Sequence, residues 1–215
     1  MTESTGVQAP WLDHLDGIPA TLDYYQGSMF CAVERAAREH PRKIAFDFMG
    51  RSTTYRDMIE NINQCARSLV HLGVKEGDRV TIALPNCPQA IYSFYAINMI
   101  GAVANMVHPL ASENEMKFFL NESESVVAIV LDQCYSKFEA IRAQTKVKHI
   151  IIASVKDELA PEIQGRYDAD HRRQNDLQSQ AGFECFHRCR NVFESAEIRG
   201  CQCHTEGYHQ RNAIC

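Results

Sequence analysis

An α/β fold built on a mostly parallel sheet, with helices on both faces, is what this sequence predicts, and three features predict it. Val126-Val-Ala-Ile-Val-Leu131 and His149-Ile-Ile-Ile-Ala153 are short runs that are apolar almost throughout. Strands of that kind are buried on both faces, as in parallel sheets. Between such runs lie segments whose apolar residues recur at helical spacing. Capping residues, glycines and prolines punctuate the alternation, so that strand and helix succeed one another in the βα order of a covered parallel sheet.

Each element follows from local chemistry. Ser28 caps a helix to about His40, with Phe30, Val33 and Ala37 on one face and Pro41 stopping it. Lys43–Phe48 alternates, and Met49-Gly50-Arg51 turns the chain back toward Thr53 as a hairpin. Thr54-Tyr-Arg-Asp57 has the spacing of a capping box, with Asp in place of Glu or Gln. The helix behind it gathers Tyr55, Met58, Ile59, Ile62, Cys65, Ala66 and Leu69 into one apolar stripe. Gly73 ends that helix, and Lys75–Asp78 turns into the strand Arg79–Leu84. Pro88 suits a first helical position, capped by Asn86 or Cys87, in a helix that carries Ile91, Phe94 and Tyr95 inward to Gly101. A short strand over Val103–Val107 follows. Ser112-Glu-Asn-Glu115 is a full capping box opening a helix with Met116, Phe119 and Leu120. A further helix near Tyr135–Gln144 joins the two apolar strands.

The chain divides into an extended segment (1–27), an α/β body (28–160) and a tail (161–215). In the extended segment Trp11, Leu12 and Tyr24-Tyr25 are expected to anchor onto the body. At 215 residues, 45% hydrophobic and a net charge of −5, the chain has the length and composition of a folded domain. Its acidity is dispersed, which gives no footprint for nucleic acid. The first residues show neither a basic nor an apolar leader region, and no apolar run reaches the roughly 18 residues of a membrane span. A cytoplasmic location follows, with Cys31, Cys65, Cys87 and Cys134 as reduced, buried thiols.

The segments Pro10-Trp11-Leu12 through Thr54-Tyr55-Arg56, Leu72-Gly-Val-Lys-Glu-Gly-Asp-Arg-Val80, Leu84-Pro-Asn-Cys-Pro88 and Ile100-Gly-Ala-Val-Ala-Asn-Met-Val-His-Pro109 carry a resemblance. In order and spacing they are similar to the N-terminal part of fatty-acyl-CoA synthetases, members of the adenylate-forming (AMP-binding) superfamily. The resemblance covers about residues 10–160. It implies a ligase that activates a carboxylic acid with ATP and Mg²⁺ to an acyl-adenylate and transfers the acyl group to coenzyme A. It also implies that a Ser/Thr/Gly-rich loop presents backbone amides to the triphosphate. No such loop occurs in these 215 residues, nor does a GxGxxG or GxxxxGK[ST] motif. No catalytic residue is therefore assigned, and none of these cofactors is expected to bind well to this stretch alone.

Several residues carry two readings. His108, at the end of a short parallel strand, is either a pocket-wall residue or a loop histidine before Pro109. Asp132 stands likewise at a strand end, where carboxylates commonly start turns. Asn86 reads as a helix cap. Tyr92, Phe94 and Tyr95 read as helix-to-sheet packing, with an acyl-binding wall as the other use.

The tail changes composition at Pro161. All seven lysines precede it, while five of nine cysteines and four of nine histidines follow. Apolar residues there keep neither the 2.0 nor the 3.6 period, and no strand or helix is assigned. Such a change suits a truncated or frame-shifted synthetase. The alternative is a non-catalytic binding module, either docking to a separate remainder of the enzyme or holding zinc through Cys185, Cys189, Cys201 and Cys203, with His204 and His209 nearby. Neither cysteine pair has the CxxC knuckle. Arg172-Arg173 sits among seven arginines and eight acids, which favours a solvated segment over an anion site. The open faces of an incomplete sheet imply self-association.

Overall fold

The computed structural model describes residues 11, 14, 16–19, 21, 23–170 and 184–185. Helix α1 (Met29–Glu39) precedes a hairpin of β1 (Ile44–Phe48) and β2 (Arg51–Thr54). Then α2 (Tyr55–His71), β3 (Arg79–Ala83), α3 (Pro88–Met99), β4 (Val103–Met106), α4 (Glu113–Glu122) and β5 (Val127–Leu131) alternate. A 3-10 turn (Asp132–Cys134), α5 (Tyr135–Arg142), β6 (His149–Ala153), a second 3-10 turn (Val155–Glu158), α6 (Pro161–Asp170) and the two-residue β7 (Glu184–Cys185) complete the order. The larger sheet has the order β4-β3-β5-β6-β7, and every pair in it is parallel. The α/β fold class read from the sequence is the observed one.

The caps form as their sequences require. Ser28 accepts from the Cys31 amide at 3.2 Å, and the Thr54 hydroxyl accepts from the Asp57 amide at 3.2 Å while donating to its carboxylate at 2.7 Å. The full capping box closes in both directions, with the Ser112 amide donating to Glu115 at 2.8 Å and the Glu115 amide donating to Ser112 at 3.3 Å. The bonds to Ser112 hold the Glu115 carboxyl below its ordinary range.

Three successive helices enter the sheet through one turn geometry. After α2, the Gly73 amide donates to Val70 at 2.9 Å and the Val74 amide to Leu69 at 3.0 Å, with Gly73 at φ +83°. After α3, Gly101 donates to Asn98 at 3.2 Å and Ala102 to Ile97 at 3.0 Å, with Gly101 at φ +73°. This paired closure satisfies the last helical carbonyls, and glycine is its usual residue because the left-handed conformation penalises a Cβ. After α4 the same closure occurs without glycine: Glu124 takes φ +49°, donating to Asn121 at 3.1 Å. Ion pairs hold it there, with Arg79 at 2.7 Å and with Lys146. Those two cations keep the Glu124 carboxyl below its ordinary range, Lys146 contributing the larger effect.

One core spans the sheet and both helical layers. Val80, Ile82, Ala83, Ala128, Ile129 and Val130 are completely buried, and Ile62, Leu69 and Ile97 seal one face from α2 and α3. A partly buried polar ladder runs from β4 across β3 to the turn before β5. Asn105 donates to the Thr81 hydroxyl at 3.0 Å, Thr81 and Ser125 share a bond of 2.7 Å, and Ser125 meets Ser123 at 2.8 Å.

Several expectations are corrected here. Trp11 and Tyr24 are not anchors, being 66% and 73% exposed, whereas Tyr25, 47% exposed, does meet the body, its ring lying under the Arg35 guanidinium of α1 at 4.8 Å. Leu12 lies outside the described residues. Cys65, Cys87 and Cys134 are buried thiols outside any disulfide, as expected, whereas Cys31 is disulfide-bonded. Beyond Pro161, where no element is read from the sequence, the chain forms α6 and then β7, whose Glu184 pairs with Ile151. Proline at the first helical position followed by Glu162 is a helix-opening signal. The remainder of the tail lies outside the described residues. No described helix is long and apolar enough to cross a membrane.

Candidate functional site

The hairpin folds over the start of α3 and leaves a cleft of about 430 Å³. Its walls come from three places. Phe46 and Phe48 belong to β1. Asn86, Cys87 and Pro88 form the exit from β3, and Ile91, Phe94 and Tyr95 form one side of α3. Met106 of β4 closes the end. The cleft is of the size of small-molecule pockets and mainly apolar, with the Asn86 amide and Tyr95 phenol as polar groups. The Asp47 carboxylate at its rim is committed to the hairpin, accepting from the Gly50 amide at 3.1 Å and the Ser52 hydroxyl at 2.9 Å.

A long-range ion pair fixes the hairpin. Arg51 lies 3.5 Å from Glu158 and donates to the Asp157 carbonyl at 3.3 Å. Glu158 is only 3% exposed. Beside it, Gln89 is wholly buried and donates to the Ser154 carbonyl at 2.7 Å, tying α3 to the segment after β6. The second amide atom of Gln89 and the hydroxyl of Ser93 have no protein partner. Nothing in the sequence singles out these buried polar residues. Their partners lie far along the chain, and a lone Gln or Glu carries no local signal of burial.

Cys87 has the place of a helix-start nucleophile but not the chemistry. Burial pushes its thiol up to about 11, and Glu158 adds to this, against the lowering effect of the Ala90 and Gln89 amides. The reactive form of cysteine is the thiolate, so Cys87 is an inert wall residue near neutral pH. Burial also raises the Cys134 thiol, and raises Tyr135 to about 12 with help from the Glu139 carboxylate.

The residues weighed in the sequence distribute unevenly around this cleft. His108 does not line it. It is exposed, and its Nδ1 accepts from the Leu110 amide at 3.2 Å, a loop-turn contact. Asp132 opens the 3-10 turn after β5 and accepts from the Gln133 amide at 2.7 Å. Asn86 is not the cap of α3: Cys87 occupies that position and Asn86 precedes it, facing the cleft. The aromatic trio splits. Tyr92 is buried against Phe46, 6.1 Å between ring centroids, while Phe94 and Tyr95 are partly exposed on the cleft. The inward face of α3 is thus Tyr92, Ser93, Ala96 and Ile97, rather than Ile91, Phe94 and Tyr95. The side chains of Cys185, Cys189, Cys201 and Cys203 lie outside what the structure describes. Among the described residues no group of His, Cys, Asp and Glu could hold a metal.

Comparison with known proteins gives a consistent result. The family model "AMP-binding enzyme" matches residues 33–191, which carries the match past Pro161. A long-chain-fatty-acid–CoA ligase of Bacillus subtilis is 32% identical over 153 residues, 71% of this chain and 27% of that protein. Acetyl-coenzyme A synthetase 1 of Saccharomyces cerevisiae is 34% identical over 108 residues, 47% of this chain and 15% of that protein. Among solved structures, an anthranilate CoA ligase bound to anthranoyl-AMP superposes with a TM-score of 0.66 at 21% identity, over 84% of this chain and 30% of that one. At that identity the likeness speaks for the fold alone. A fatty acyl CoA synthetase of Mycobacterium tuberculosis gives a TM-score of 0.54 at 30% identity, over 61% of this chain and 27% of that one. The chain thus spans about a quarter of the length of the ligases it matches. On the strength of the family match over most of its length, this chain belongs to the AMP-binding enzyme family.

Proposed function

We propose that this chain is the N-terminal section of a ligase that activates a fatty acid with ATP and Mg²⁺ to an acyl-adenylate and passes the acyl group to coenzyme A. By itself the section does not catalyse that reaction. The observation that carries this reading is the 32% identity to a long-chain-fatty-acid–CoA ligase confined to 27% of that ligase's length. The sequence within that share contains no Ser/Thr/Gly-rich run of the kind that offers several backbone amides to a triphosphate. The described cleft agrees with a scaffolding role. It is apolar, its one carboxylate is occupied by the hairpin, and its thiol is protonated. Fatty acid, ATP and coenzyme A are then ligands of the complete enzyme, which works in the cytoplasm, and the open sheet of this section self-associates.

Isothermal titration calorimetry of the purified chain with Mg·ATP tests the reading. No saturable heat is expected, because no described group is built to hold a triphosphate. Saturable binding at one site per chain would place a nucleotide site within these residues and overturn it.

A further inference from the structure

Among the described residues, strand β4 is one edge of the sheet, a short strand without charge, proline or bulge. Among the described strands it pairs with β3 alone. The Val103 amide donates to Asp78 at 2.8 Å and the Val107 amide to Ile82 at 3.0 Å. In a parallel ladder the residues between those bonded ones turn their amides and carbonyls the other way. Ala104 and Met106 therefore present unbonded backbone groups outward. Natural edges are blunted by proline, lysine, bulges or inward charges. Here Val103-Ala-Asn-Met106 has none of these, and no Asp, Glu, Lys or Arg occurs anywhere in residues 80–112. Val103 and Met106 stand on opposite faces of the strand and are 53% and 54% exposed, a pattern suited to a strand inside a sheet.

We propose that β4 is a dimerisation edge that pairs antiparallel with β4 of a second copy of this chain, joining two sheets into one. The inference makes the self-association stated above specific and does not depend on the ligase reading. The twofold axis passes by Asn105, so that Ala104 of each copy pairs with Met106 of the partner subunit, each pair exchanging both backbone bonds. A symmetric contact sets every group beside its own surface, so an uncharged strand is suited to meet itself where a charged one repels. The direction follows from the ends. Glu76 lies beside Gly101, and Asp78 beside Val103, at the start of β4, whereas His108 follows its other end. Antiparallel pairing keeps the acidic ends of the two copies apart, and parallel pairing would juxtapose them.

Light scattering coupled to size exclusion, over a series of concentrations, tests the proposal on the full chain. The mass should approach twice that of one chain as concentration rises. Ala104→Pro removes an outward donor but none of the bonds to β3, which use Val103, Asn105 and Val107. Met106→Lys places a charge at the joint. Either variant should shift the protein to monomer, with its circular dichroism unchanged. A monomer at every concentration, or a dimer or larger assembly retained in the folded variants, overturns the proposal. Where Ala104→Pro fails to fold, Met106→Lys decides. A monomer would leave this edge for another part of the family's longer chain.

Discussion

Ile129→Ala is expected to lower the stability of the fold by about 2–5 kcal/mol, the range for deleting a fully buried aliphatic side chain. Ile129 is 0% exposed at the middle of β5, where it pairs with Ile82 of β3 and Ile151 of β6. Helices cover both faces of this strand, so the space left by three lost carbons cannot collapse without moving two packed layers. Folded domains are held by roughly 5–15 kcal/mol, so the loss is a large share of the whole. Urea unfolding followed by circular dichroism measures it. Ile44→Ala in the hairpin, 61% exposed, is the matched control and should stay within about 0.5 kcal/mol. Equal effects at the two sites would mean that β5 is not the centre of a closed core.

Thr81→Val should cost about 1–3 kcal/mol although it preserves shape, because it removes the middle of the partly buried ladder. Its hydroxyl lies between Asn105 at 3.0 Å and Ser125 at 2.7 Å. Valine fills the same volume and suits a strand, so propensity and packing would favour the change. The buried Ser125 hydroxyl losing a hydrogen bond, with the half-buried Asn105 amide beside it, weighs the other way, and that effect wins. The double variant Thr81→Val with Ser125→Ala should cost less than the sum of the two singles, since residues in one network couple. Strict additivity in the same unfolding assay would show that the two hydroxyls act separately.

These two sites differ in how plainly the sequence announces them. Val127–Leu131 and His149–Ala153 are legible because a parallel strand buried on both sides must be apolar at nearly every position. Gly73 and Gly101 are legible because the helix-to-strand turn requires a left-handed residue. The third such turn is not, because Glu124 occupies the position that glycine fills elsewhere and is held by Arg79 and Lys146 from other elements. The apolar face of α3 misleads for a related reason. That helix is apolar nearly all round, so periodicity cannot say whether Tyr92 or Phe94 points inward.

The cleft itself was only partly visible in advance. Of Tyr92, Phe94 and Tyr95, which the sequence offers as a wall, only Phe94 and Tyr95 line the cleft, and their neighbours Phe46 and Phe48 come from a hairpin more than forty residues earlier. What holds the hairpin in place is a contact between Arg51 and Glu158, and a surface arginine gives no hint of a buried partner a hundred residues away. His108 and Asp132 stand at strand ends, where open sheets commonly bind ligands. The geometry gives each a local hydrogen bond in a turn. Past Pro161 the composition masks a helix whose opening residues are ordinary, and the family match likewise runs on to residue 191.

These residues carry the architecture of the AMP-binding enzyme family over 33–191, and the proposal of inactivity rests on the missing Ser/Thr/Gly-rich run. ATP–pyrophosphate exchange with the purified chain, over fatty acids of several lengths, decides whether that proposal stands. No exchange above the protein-free rate is expected with any acid, under conditions where the Bacillus subtilis ligase is active. Acid-dependent exchange that co-purifies with the chain would contradict it.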